Sequence, residues 1–84
     1  MKIEEIEKNL SKIKDVVIYQ QGFIESKFEI LNIKYDIKED ILNINNNDSY
    51  FKININQIYD VKDERGSIIL FLDNDTQIKI ASKN

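Results

Sequence analysis

Ile3, Ile6, Leu10, Ile13 and Val17 recur at alternating spacings of three and four residues, which sets them on one side of a helix. Glu4, Glu5 and Glu7 stand in the first turns and Lys8, Lys12 and Lys14 in the later ones, so the charges oppose the helix dipole and Glu4 meets Lys8 four residues on. The pattern predicts a helix over about residues 2 to 14. From Val16 the period falls to two. VVIYQ is a β-branched run, Gln21-Gly22 is a turn signal, and FIESKFEILNIKY alternates as one long strand. Its phase slips midway. Ile24, Phe28 and Ile30 share one face, whereas Leu31, Ile33 and Tyr35 share the other. Such a slip marks a bulge, a strong bend, or a passage from one sheet surface to another.

Two hairpins follow. Ile41 to Asn45 turns through residues 46 to 49 into Tyr50 to Asn56, and Ser67 to Leu72 turns through residues 73 to 75 into Thr76 to Ala81. The return strands alternate apolar and polar residues, which leaves one face of each wet. SIILFL, at 67 to 72, is apolar on both faces. It is expected to be the central strand, with the helix over one side and bent sheet or a partner over the other. With short gaps, YDIKEDILNINNNDSYFKI aligns with YDVKDERGSIILFLDNDTQIKI: Tyr35 with Tyr59, Asp36 with Asp60, Lys38 with Lys62, Leu42 with Leu70, Lys52 with Lys79. Every hairpin of a meander needs a polar turn, a β-branched strand and an alternating return, so such phrases recur by requirement; duplication of a hairpin unit is the alternative. The predicted fold is α+β: one domain, 1–84, with an N-terminal helix packed on a curved antiparallel meander of five or six strands over about residues 16 to 81, either open or half closed into a barrel.

Composition narrows what such a domain can do. At 84 residues the core is thin, and with no Cys and no His the chain has neither a disulfide nor two of the commonest metal ligands. Ile (17), Asn (10) and Lys (11) have AT-rich codons, which points to an AT-rich bacterial or phage genome and makes NINNN read as drift on solvated positions. The start, MKIEEIEKNL, lacks the apolar stretch of a secretory signal, and no run approaches a membrane span, so a cytoplasmic protein is expected.

Catalysis needs a nucleophile beside a base, tuned carboxylates or a metal, and none is spelled out. Two glycines cannot write a phosphate loop. DNDT, at 73 to 76, opens like a calcium loop but has Ile78 at the sixth position and Asn84 at the twelfth. No catalytic, cofactor or metal site is expected. The net charge of −3 and a single Arg disfavour nucleic acid, although Lys2, Lys8, Lys12 and Lys14 form a partial basic face on the helix.

Protein binding remains. Residues 1 to 35 carry six acids and six bases, whereas 36 to 75 carry nine and four. If the turns near 36 to 40 and 63 to 66 share one end of a meander, Asp36, Glu39, Asp40, Asp60, Asp63 and Glu64 cluster beside Tyr35 and Tyr59. Acids beside amphipathic aromatics suit a partner with a basic surface. Small acidic chains of this composition look like the accessory proteins of phages and mobile elements, some of which block host defence nucleases such as CRISPR effectors. The likeness implies a non-enzymatic inhibitor or adaptor. The alternatives are a self-assembling structural subunit, as a homodimer joined through unprotected sheet edges, and a module for a small ligand or nucleic acid.

Overall fold

The computed structural model describes residues 2–73 and 75–83, with the side chain of Lys2 left aside. Among these residues one helix, α1 (Lys2–Leu10), precedes eight antiparallel strands. These are β1 (Val16–Gln21), β2 (Ser26–Ile30), β3 (Lys34–Lys38), β4 (Ile41–Asn45), β5 (Tyr50–Asn54), β6 (Ile58–Glu64), β7 (Ser67–Leu72) and β8 (Thr76–Ser82). A 3₁₀ turn, Ile55–Gln57, links β5 to β6. The α+β class stands, with more strands than the five or six expected, divided between a five-stranded sheet ordered β2-β1-β8-β7-β6 and a three-stranded sheet ordered β3-β4-β5.

The helix is shorter than its periodicity suggests. After Leu10 the chain tightens, with Lys12 N donating to Asn9 O and Ile13 N to Leu10 O, i→i−3 bonds of the kind that end helices. Ile6 and Leu10 are buried and Ile3 and Ile13 pack beside them, but Val17 belongs to β1 and shares no helical face with them.

FIESKFEILNIKY is two strands in different sheets. The phase slip is a passage between surfaces: β2 ends at Ile30, Asn32 takes a positive φ of 52°, and β3 begins at Lys34. Asp15 Oδ1 accepts from Asn32 N and Lys14 O from Ile33 N, which pins the crossing.

The repeated phrase falls on two successive three-stranded meanders, β3-β4-β5 and β6-β7-β8. Lys38 pairs with Ile41 as Lys62 pairs with Ile69, and Ile37 with Leu42 as Val61 with Leu70. The correspondence breaks in the third strand. Lys52 lies opposite Asn43, but its topological equivalent, opposite Phe71, is Gln77 and not Lys79. A register shift between Ile58 and Asp60 also moves Tyr59 off the face that Tyr35 occupies.

Residues opposite one another across strands share a face. On the large sheet this gives an inner face of Ile30, Val16, Ile18, Ile80, Ile68 and Leu70, all essentially inaccessible. Ile6 and Leu10 from α1 and Leu42 and Ile44 from β4 belong to the same buried cluster. Helix and small sheet therefore cover the same face. The expectation that SIILFL is the central strand, with bent sheet over its second side, is corrected: β8 is the middle strand, β7 lies between it and β6, and Ile69 and Phe71 point to a face that neither the helix nor the small sheet covers. Gly22, with φ 140°, lies under the β7–β8 connection, where a Cβ would come within 2.9 Å of Thr76 Cα.

Candidate functional site

The acids do not form one patch. Asp36 lies on β3 and Glu39 and Asp40 form the β3–β4 turn, whereas Asp60, Asp63 and Glu64 lie on β6, in the other sheet. Tyr35 packs half-buried against the core, and Tyr59 is 62% exposed with its ring 6.3 Å from Phe71. Strand β6 runs for about 20 Å at roughly 3.3 Å per residue, so its two ends are distinct places.

At the far end, Asn9 Nδ2 donates to Asp63 Oδ1 at 3.1 Å. Asp63 and Glu64 line a concavity of about 500 Å³ with Lys8, Lys12 and Arg65. Three cations against two carboxylates make this end mixed in charge. Of the four lysines expected to form a basic helical face, Lys8 and Lys12 thus stand beside acids, Lys12 and Lys14 lie beyond the end of α1, and the side chain of Lys2 is outside the described residues.

The near end is different. Asp40 O accepts from Ile55 N at 2.8 Å, and Asp40 Oδ2 accepts from Asn56 Nδ2 at 3.4 Å. Asn54 Oδ1 accepts from Asn56 N and caps the 3₁₀ turn. Together these bonds hold the β3–β4 turn against the segment that leads, within four residues of Asn56, to Tyr59 and Asp60. Glu39, Asp40, Tyr59 and Asp60 are all exposed. The Glu39–Asp40 turn, with Tyr59 and Asp60 a few residues beyond its anchor, makes this the acidic, aromatic corner of the molecule, in which Asp60 and the Tyr59 ring turn toward Phe71 on the outer face of the large sheet.

The turn itself carries a cost. Glu39 has φ 54° and Asp40 φ 64°, as a two-residue type I′ hairpin loop requires, and Asn-Gly is the favoured pair in that loop. A Glu in the left-handed region costs about 1 kcal/mol or more, whereas Asp, like Asn, is better tolerated there through its short polar side chain. Two consecutive acids in a loop that favours Asn-Gly set local stability against the charge they present.

Two further surfaces are invisible to periodicity. The uncovered face of the large sheet carries a row of Lys27, Tyr19, Lys79, Ile69 and Lys62, one residue from each strand. Glu29, Glu64 and Asp60 flank the row, so the three lysines are matched by three acids. The second surface is the free edge of β2, where Phe23 is 92% exposed, Ile24 58%, Leu31 43% and Phe28 36%. Alternation alone would bury this segment, and only the strand order reveals it as an edge.

Among the described residues, no group of three or more acids or other ligands is arranged to hold a metal, and no helix is long and apolar enough to cross a membrane. Asn74 and Asn84 of the DNDT reading lie outside the described residues. No family model, curated protein or solved structure matches the chain.

Proposed function

We propose that the protein is a non-enzymatic binding module, an inhibitor or adaptor, that engages a basic surface of a partner protein through the corner of Glu39, Asp40, Tyr59 and Asp60. The observation that carries this reading is the turn: two acids occupy consecutive positive-φ positions and are bonded to the segment before an exposed tyrosine. Exposed charge steers encounter and sets specificity, and a solvent-facing Tyr supplies apolar contact with a polar tip. Asp63 and Glu64 contribute less, since Lys8, Lys12 and Arg65 offset them. The host-nuclease target rests on composition and defines the class of partner to seek first.

The test separates stability from binding. Replacing Glu39-Asp40 by Asn-Gly is expected to stabilise the fold by about 0.5–2 kcal/mol in denaturant titration, because the loop gains its favoured residues. The same variant, and Asp60→Lys or Tyr59→Ala, is expected to weaken binding to the partner recovered by pull-down from the native host. For the charge variants the loss shrinks as salt rises. Affinity equal to wild type at every ionic strength would dismiss the acidic corner.

A further inference from the structure

The free edge of β2 has a sequence that complements itself. It is the outer strand of the five-stranded sheet, Ser26 to Glu29 are all exposed, and neither Pro nor a bulge interrupts it. An edge of this kind is a template for another strand unless charge or cover blocks it. Here the charges do not block; among the registers that keep most of β2 paired with its copy, they select one. Lys27 and Glu29 share the outer face, and Phe28 between them lies on the inner face opposite Ile18.

When a strand pairs antiparallel with its own copy about a two-fold axis normal to the sheet, opposite residues lie on the same face and the axis passes through one residue. Centred on residue 27, Lys faces Lys; centred on 29, Glu faces Glu; like charges directly opposite are unfavourable. Centred on residue 28, Lys27 faces Glu29 of the second copy, Glu29 faces its Lys27, and Phe28 faces Phe28. The ring of Phe28 already stands 6.2 Å from that of Phe51, so the aromatic pair would become a four-ring cluster. The same register keeps all five residues of β2 paired, with Ser26 opposite Ile30 of the second copy.

We infer that β2 is a homodimerisation edge that joins two copies of the chain into one continuous ten-stranded sheet, in the register centred on Phe28. The surface shares no residue with the acidic corner. Lys83, 3.4 Å from Glu29 at the outer face, adds a third charge to each cross-copy pair, and Lys27 keeps its place over the Tyr19 ring at 5.7 Å.

Sedimentation equilibrium of the whole chain tests it. Wild type is expected to dimerise at high micromolar concentration. Lys27→Glu and Glu29→Lys, each folded by circular dichroism, are each expected to raise the dimer dissociation constant roughly tenfold or more, since each turns both cross-copy pairs into like charges. Mixed in equal amounts, the two variants are expected to recover a heterodimer: one copy then presents acids at both positions and the other presents lysines at both, so each cross-copy pair again joins opposite charges. Mixing also serves as the folding control. A monomeric wild type, or a mixture that stays monomeric while each variant is folded, would overturn the inference.

Discussion

Asn43 and Asn46 stand three residues apart in NINNN, and composition treats them alike. Asn46 organises the β4–β5 turn: its Oδ1 accepts from Asp48 N at 2.8 Å and Ser49 N at 2.7 Å, and its Nδ2 donates to Leu31 O at 2.8 Å. One side chain thus satisfies three backbone groups and ties the small sheet to the end of β2. Removing it leaves those groups to water or to nothing, and Asn46→Ala is expected to cost about 1–3 kcal/mol. Asn43 is the opposite case. Its Oδ1 is enclosed on the outer face of β4 and accepts no hydrogen bond from the protein, between Asp36 and Lys52. Asn43→Val removes that acceptor and adds a β-branched side chain to a middle strand, and is expected to be neutral or stabilising by up to about 1 kcal/mol. Chemical denaturation of the two variants measures both signs. Codon drift is therefore the wrong account of Asn46, and the sequence could not show it, because the partner Leu31 arrives from a distant segment.

At the scale of elements, local pattern is legible where one segment determines its own shape. Both predicted hairpins form, at Ile41–Asn45 with Tyr50–Asn54 and at Ser67–Leu72 with Thr76–Ser82. The chemistry of the β3–β4 turn is legible as acidic, and its strain is not, since φ is not written in composition. The helix ends earlier than its period because Ile13 and Val17 happen to continue that period while belonging to a turn and a strand. SIILFL carries the clearest apolar signal and misleads about cover. Its inner residue Leu70 is inaccessible, and its outer neighbour Ile69 is half-buried. Leu70→Ala is expected to cost about 2–5 kcal/mol, a large share of the roughly 5–15 kcal/mol available to a domain. Ile69→Ala leaves no enclosed cavity and is expected to cost under about 1.5 kcal/mol. Equal losses in thermal melts would mean that the second face of the sheet is covered after all, and a Leu70→Ala protein melting within a few degrees of wild type would place β7 at the margin of the core.

At the scale of the molecule the decisive contact is the least local one. β1 pairs with β8 along the whole of β1, from Val16 with Ser82 to Gln21 with Gln77, and Lys83 N donates to Asp15 O beyond the strand end. Without that ladder the large sheet falls into β2-β1 on one side and β8-β7-β6 on the other. No periodicity announces such a pairing, which is why a single meander is the expectation and two sheets are the outcome. Its consequence is a stability gradient. Ile18, Ile80 and Ile68 lie in the interior strands and in the shared core, so their amides should exchange with deuterium only when the whole domain unfolds. Strand β2 has a neighbour on one side alone, so its outward amides should exchange quickly in dilute solution by direct exposure or local opening. If β2 joins copies, that protection has a signature of its own. Exchange at residues 26 to 30 should slow as protein concentration rises, while exchange at Ile18 and Ile80 keeps one common rate set by global unfolding or shifts only as dimerisation stabilises the whole fold. Fast exchange at Ile80 relative to Ile68 would show that the terminal strands open independently, and the closure by β1 and β8 would then no longer account for the cooperativity of the fold.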